Sequence, residues 1–262
     1  MSLADRLRLA PETRNIRILT IDIEWRPLLS YHWGLFDQNI SIIQIKEHGG
    51  MLCFAAKWMG EKEILFFSTF HDGYETMLQK AHELLSEADI VVGYNSDRYD
   101  VRKMNQAFVL AGMGPPRPFK SIDLIKTNKG RFDLPSRKLD YLVQQLSIGS
   151  KLPHTGFQLW LDCIDNDPKA WDLMRRYNIQ DVRVTEKAYL RLLPWLTNSP
   201  HLGMFTGDEF SCPYCGSKKL KRHIEPAHTL VQSYTLFECD RCHGWIRGTS
   251  PQQDPTRTRA LR

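Results

Sequence analysis

From Asn15 to Glu24 the chain runs NIRILTIDIE, an alternating stretch rich in β-branched residues that ends on two acids two positions apart. Such a stretch predicts a strand, and side chains on a strand alternate between its faces. Asp22 and Glu24 therefore share one face, roughly 7 Å apart along the chain, while Ile21 and Ile23 point to the other. Two carboxylates on one face of an otherwise apolar strand repel each other, and they lose hydration if the strand is central. Mg²⁺ or Mn²⁺ would remove that cost, because both prefer carboxylate oxygens. A solvated strand end with two ordinary acids is the alternative.

The remaining pattern sets the frame around this strand. Residues 39–46 (NISIIQIK), 51–58 (MLCFAAKW) and 63–68 (EILFFS) are expected to be strands. A helical pattern covers 74–86, ADIVVGYN has the fully apolar character of a buried strand, and a helix over 99–111 ends at the breaker GMGPPRP. Residues 121–126 look extended, 136–147 look helical with Ser136 as N-cap, a short connector follows, and 167–193 read as one or two helices. Strands first, one buried strand later and then mostly helices suit an α/β fold, a mixed sheet with helices on its faces. Residues 1–15 read as a polar arm and 250–262 as a disordered tail. The apolar fraction of 42% is enough for an ordinary packed core. No stretch of about 18 apolar residues suggests a membrane span, and the N-terminus lacks the apolar region of a signal peptide. The expectation is a cytoplasmic protein without a membrane partner.

Two further acid positions stand out. Asp100 follows ADIVVGYN at the start of a helix, where an acid also serves as cap or dipole partner, a role for which Asp97 competes. Tyr177 and Asp181 lie four apart in RRYNIQDVRVTEKAY, so on a helix they share a face. A core tyrosine beside a surface acid gives the same spacing.

Taken in order, DIE on the first strand, GYN and then YD after the buried strand, and YxxxD on a late helix resemble the three motifs of DEDDy-type 3′→5′ exonucleases of the RNase H-like superfamily. The resemblance is closest to the exonuclease domain of family B DNA polymerases. SIDLIKTNKGRFDLPSRKLDYLVQQLSIGSK is similar to the segment between the second and third motifs there, and the likeness runs over about residues 15–195. The sister DEDDh group has a histidine five residues before the last acid, where this chain has Arg176; Tyr177 occupies the DEDDy position.

The resemblance implies an RNase H-like domain over residues 16–197. It implies hydrolysis of phosphodiester bonds from 3′ ends by two Mg²⁺ or Mn²⁺ ions, with Asp22, Glu24, Asp100, Tyr177 and Asp181 as the catalytic set. Asp22 would bridge both ions, Glu24 and Asp181 would hold the one nearer the nucleophile, and Asp100 would act through the other's water shell. Tyr177, with an ordinary pKa of about 10, is a poor base and would align the water. Asn95 would contact the terminal strand. Single-stranded DNA is the expected substrate. An exoribonuclease of the same fold remains open, as does RNA as partner, because two-metal chemistry ignores the 2′-hydroxyl; the complete acid set argues against a nucleic-acid-binding adaptor with a dead site. From the residues themselves, Trp25 could stack on bases or pack the core. Phe132, with its basic neighbours, could line a phosphate track or a solvated face.

The formal net charge of +5 permits nucleic-acid binding without demanding it. Four of the six cysteines form two CxxC pairs, Cys212/Cys215 and Cys239/Cys242, separated by 23 residues. In a reducing compartment this is a metal pattern rather than a disulfide framework. Four thiolates favour one structural Zn²⁺ in a zinc ribbon over about 208–249, and binding worth roughly 10–16 kcal/mol would explain how so small a module folds. A redox pair or an iron site is the alternative. The ribbon could grip nucleic acid or dock a protein.

Overall fold

The acid-bearing segment forms β1 (Ile18–Trp25), the central strand of a five-stranded mixed sheet. The computed structural model describes residues 16–208 and 210–252. These form two compact units, one over Arg17–Leu190 and a smaller one from Arg191 onward. In the first unit β1 is followed by a two-stranded ribbon of β2 (Leu29–Ser30) and β3 (Ile45–Glu47), then by β4 (Met51–Trp58), β5 (Leu65–Ser68), α1 (Tyr74–Glu87), β6 (Ile90–Gly93), α2 (Asp100–Leu110), β7 (Lys120–Asp123), α3 (Leu124–Arg131), α4 (Leu139–Gln145), α5 (Gln158–Ile164) and α6 (Pro168–Leu192). The sheet order is β5-β4-β1-β6-β7. β1 runs antiparallel to β4 and parallel to β6, so the sheet changes character at β1 itself.

Alternation along β1 sorts its side chains onto two buried faces. Leu19, Ile21 and Ile23 face a core built with Phe54 of β4, Met77, Leu78 and Leu85 of α1, and Met104 and Phe108 of α2. The opposite face carries Cys53 across from Glu24. A second cluster there joins Cys53 to Leu159 and Cys163 of α5 and to Trp171, Met174 and Tyr177 of α6. The acids of β1 therefore lie on the face that α5 and α6 cover.

Several expected elements end elsewhere. The run NISIIQIK is not a strand of the main sheet. It forms a 3-10 turn at Ile42–Gln44 and then β3, with Ile42 and Ile43 exposed. The backbone N–H of Ser41 donates to Gln44 Oε1 at 2.8 Å, a local bond that competes with strand pairing. The extended segment expected over 121–126 stops at Asp123, whose carboxylate accepts the Ile125 N–H and caps α3. Ser136 is not the N-cap of α4; Lys138 is, and the Ser136 hydroxyl only accepts the Lys138 N–H. The connector expected before residue 167 contains α5, and 168–192 form one helix.

The second unit contains α7 (Gly203–Thr206), between the two expected domains, and β8 (Leu220–Arg222), β9 (Ala227–His228), β10 (Ser233–Cys239) and β11 (Trp245–Pro251). β10 pairs antiparallel with the other three. Ser250 and Pro251 close β11 rather than opening a tail, while the expected arm at 1–15 and the chain beyond 252 lie outside the described residues. No described helix is long and apolar enough to cross a membrane.

Phe54 is fully buried and stacks on Phe67 with centroids 5.4 Å apart. Phe54→Ala is expected to destabilise the first unit by about 3–5 kcal/mol. Urea unfolding followed by circular dichroism measures this, and an unchanged midpoint would remove Phe54 from the core.

Candidate active site

β1 outruns β6. Its parallel pairing ends at Thr20↔Val92, and β6 stops at Gly93, so Ile23 has no strand partner on that side. Asp100, the first residue of α2, supplies one: Asp100 Oδ1 accepts the Ile23 N–H at 3.2 Å. The turn between β6 and α2 is shaped by buried Asp123, which accepts the backbone N–H groups of Asn95 at 2.7 Å and Asp97 at 3.3 Å. Asn95 is thereby held in a left-handed conformation, φ 64°. Gly93 is required by space, because a Cβ there would lie 2.5 Å from Ser96 Cβ.

From the facing helix α6, Tyr177, Asn178 and Asp181 project together, as residues three and four apart do. Carboxylate oxygens of Asp22, Glu24 and Asp181 lie within 4.8 Å of one another. Asp100 is outside this trio, although its charge is the strongest among the acids acting on Asp22. The Asn178 amide donates to Asp22 Oδ2 at 2.7 Å and to the Asp22 carbonyl at 3.2 Å, which fixes that carboxylate. Lys151 Nζ donates to Asp181 Oδ2 at 2.5 Å and to the Tyr177 hydroxyl at 3.3 Å. Its backbone is anchored in turn, because the Lys151 N–H donates to Asp140 Oδ1 at 2.9 Å. Trp160 of α5 lines the cleft beside Glu24. His154 packs on Tyr177 with centroids 4.7 Å apart.

Like charges in a dry site hold their protons. Burial raises Asp22 well above the usual carboxylate range, helped by Asp100, Asp181 and Glu24 and opposed by Lys151. Burial and then Asp181 push Glu24 up to about 8. Burial lifts Asp100 to about 6 against the Ile23 N–H bond, which favours the ionised form. Asp181 is also raised by burial, although Lys151 pulls it down. Its Oδ1 is buried without a hydrogen-bond partner. An orphaned carboxylate oxygen beside two more carboxylates is a donor set suited to a hard divalent cation.

Glu24 lines an open cleft of about 360 Å³, walled by Trp25, Tyr99, His154, Phe157 and Trp160. Lys103 Nζ sits 4.5 Å from the centre of the Trp25 ring. Asn95 and Phe132 are not among the residues lining this cleft; Phe132 closes α3, its carbonyl accepting from Arg137. The sequence reading missed Lys151, Trp160 and Asn178. Asn178 was findable, since it sits three residues before Asp181 and one after Tyr177 on a helix. Lys151 and Trp160 lie in the segment read as a connector and carry no periodic signal.

In the second unit Cys212, Cys215, Cys239 and Cys242 offer sulfur atoms all within 4.8 Å of one another, and none is in a disulfide. The Cys212–Cys242 and Cys215–Cys239 Sγ pairs are each 3.6 Å apart. Four sulfurs bound at ~2.3 Å in a tetrahedron would stand ~3.8 Å from each other, so the cluster is compatible with a zinc ribbon. The two CxxC turns match in detail. The Gly216 N–H donates to the Cys212 carbonyl at 2.8 Å and the His243 N–H to the Cys239 carbonyl at 2.9 Å. Both residues have positive φ, 69° and 56°.

A protein family described as RNase_H superfamily matches residues 46–193, more than half of the sequence, and the chain belongs to it. That span includes Asp100, Tyr177 and Asp181 but starts after Asp22 and Glu24. Among solved structures, the family B DNA polymerase of the hyperthermophilic archaeon Pyrobaculum calidifontis is similar in fold, with a TM-score of 0.52 and 16% sequence identity. The similarity covers 85% of this chain and 32% of the polymerase, so the chain corresponds to about a third of that protein. No curated protein sequence matches significantly.

A pH dependence follows from Glu24. Its carboxyl keeps a proton up to about pH 8 in the folded chain but releases it near 4.5 when unfolded. The folded state binds more protons in that window, so Glu24 makes stability fall as pH rises through it. Without added divalent ions, the melting temperature of Glu24→Gln is expected to fall less between pH 5 and 8 than that of the unmodified protein, as read by thermal scans. Parallel curves would contradict the shift.

Proposed function

We propose that the chain is a metal-dependent 3′→5′ exonuclease of the DEDDy type acting on unpaired DNA ends, with a structural Zn²⁺ on its four clustered cysteines. The observation that carries this reading is the meeting of Asp22, Glu24 and Asp181 within 4.8 Å under Tyr177 and Lys151. Two Mg²⁺ or Mn²⁺ ions, when bound, would supply Lewis-acid stabilisation of the phosphoryl group and a more acidic water. Asp22, Glu24 and Asp181 would hold them, with Asp100 acting at longer range. In the reaction a water oxygen forms a bond to phosphorus as the bond to the 3′ oxygen breaks, leaving a nucleoside 5′-monophosphate and a shortened strand.

The chain's own residues set the geometry. Burial, followed by the Asp181 charge, raises the Tyr177 phenol above its ordinary pKa. The hydroxyl stays protonated at neutral pH and donates a hydrogen bond that orients the water, rather than taking its proton. Asn178 restrains Asp22, so one of its oxygens is committed and the other is left for a cation. Lys151 balances the negative charge at Asp181 and stands where a phosphate oxygen would also find a donor. The cleft beside Glu24 has the volume and the aromatic walls to take an unstacked base, which favours single-stranded ends over paired ones.

The test is a digestion series with Mg²⁺ or Mn²⁺ on single- and double-stranded DNA and RNA, labelled at either end. Shortening from the 3′ end of single-stranded DNA is expected; internal cuts or 5′ shortening would overturn the reading. Asp22→Ala or Asp181→Ala should lower kcat on the order of 10³-fold or more, and Tyr177→Phe clearly less. A folded Asp22→Ala protein with near-normal activity would refute the metal assignment.

Loss of the bond behind a metal ligand has a smaller, separable effect. Asn178→Ala is expected to weaken Mn²⁺ activation by about 10–100-fold. Titrating activity against Mn²⁺ checks this, and unchanged half-activation would remove Asn178 from the site.

A further inference from the structure

We infer that the open face of the β8-β10-β11 sheet is a binding platform for single-stranded nucleic acid, separate from the acid site. Strand register defines the face. Glu238 of β10 lies directly between Lys221 of β8 and Trp245 of β11, and Leu236 lies opposite Arg247. Directly opposed residues point to the same side of a sheet, as do residues two apart on one strand. Lys221, His223, Trp245 and Arg247 therefore share one face. Lys221 and Arg247 are exposed, and Trp245 is 54% exposed.

The arrangement is built, not scattered. His223 packs against the Trp245 indole with ring centroids 4.6 Å apart, which holds the larger ring up on the sheet. The Arg247 guanidinium stacks 4.4 Å from the centre of the Tyr234 ring on the adjoining strand, which restrains it on the sheet. The central acid of the paired rows, Glu238, is flanked by the His223 and His243 imidazoles at 3.5 and 3.6 Å. The cations thus occupy the two outer strands with the exposed ring on one of them.

Charge and ring together select the occupant. An exposed aromatic sharing a sheet face with two cations suits a polymer of alternating flat bases and phosphates, since stacking is indifferent to sequence and the cations meet the backbone. A protein partner would more often want an apolar patch at this centre, and the centre here is a single leucine, Leu236, beside Glu238 and two imidazoles. The aliphatic residues most exposed in this unit, Ile224 and Leu230, belong to the connections beside β8 and β9, not to the paired face.

The experiment measures binding of the full chain to fluorescein-labelled oligothymidylate and oligouridylate by anisotropy, without added Mg²⁺ or Mn²⁺, across a salt series. Trp245→Ala should weaken binding by about 5-fold or more, as loss of one stacked base does, and Trp245→Phe should recover most of it. The pair Lys221→Gln and Arg247→Gln should lower the slope of log affinity against log salt by about 1.4, near 0.7 for each lost phosphate contact. Zinc content and circular dichroism of each variant are measured alongside, so that only folded, equally metallated proteins are compared. Binding unchanged in all of these folded variants overturns the proposal, and Trp245→Phe binding as weakly as Trp245→Ala overturns the stacking role. Digestion of the same oligonucleotides with Mn²⁺ is scored separately: Trp245-dependent binding without cleavage keeps this inference and defeats the exonuclease reading, and cleavage without Trp245-dependent binding does the reverse.

Discussion

The first unit is organised by a repulsion. Asp22, Glu24 and Asp181 bring their carboxylates within 4.8 Å, with Asp100 close enough to act on Asp22, in a region where burial is the first cause of each raised carboxyl pKa. Such a set does not form through its own affinities; it is imposed by the packing around it. Leu19, Ile21 and Ile23 lock one face of β1 into the core under α1 and α2, and the two-residue period then forces Asp22 and Glu24 onto the other face. Trp171, Met174 and Leu159 dock α6 and α5 over that face and carry Asp181 in with them. Ordinary hydrophobic burial on both faces holds the acids together against their charge.

Two devices moderate the repulsion without removing it. Asn178 gives Asp22 a neutral donor at 2.7 Å, and Lys151 gives Asp181 a cationic one at 2.5 Å. The single ammonium cannot neutralise four carboxylates, and Asp181 Oδ1 keeps no partner. What remains is a concentrated demand for positive charge at fixed oxygens. The second unit presents the same logic in softer chemistry. Its described apolar core is small, and two matched turns bring four sulfurs within 4.8 Å of one another. In both units the fold brings like groups together in an arrangement compatible with a bound cation.

Much of this was readable from residue order alone. The β1 alternation, the buried strand Ile90–Gly93 and the long helix carrying Tyr177 and Asp181 all have periods that a one-dimensional pattern preserves. Two of the misplacements share a cause, because each depends on a side chain bonding to nearby backbone. Gln44 turns NISIIQIK into a 3-10 turn, and Asp123 ends β7 and starts α3, without altering the hydrophobic pattern. Lys151 and Trp160 were illegible for a different reason. They reach the acids from a segment of short turns and a seven-residue helix, too brief to carry a period. Asn178 was hidden in plain view: its neighbours marked the face, but an asparagine beside a tyrosine has no meaning until Asp22 is seen opposite it.

The four acids are not equivalent, and the difference lies in what each has left to give. Asp100 spends Oδ1 on the Ile23 N–H, an obligation created because β1 extends past β6. Asp22 spends Oδ2 on Asn178, and Asp181 spends Oδ2 on Lys151. The bond to Asp100 ties it to the rigid backbone of the central strand, away from the trio. The bond to Asp181 comes from a flexible ammonium whose charge an arriving cation would replace. An acid bound to strand backbone and one bound to a side-chain ammonium thus coexist in the same constellation. Under the proposed function this asymmetry would let the trio bind and release a divalent ion while Asp100 keeps the end of β1 in register, so that exchange at the site need not loosen the strand that defines it.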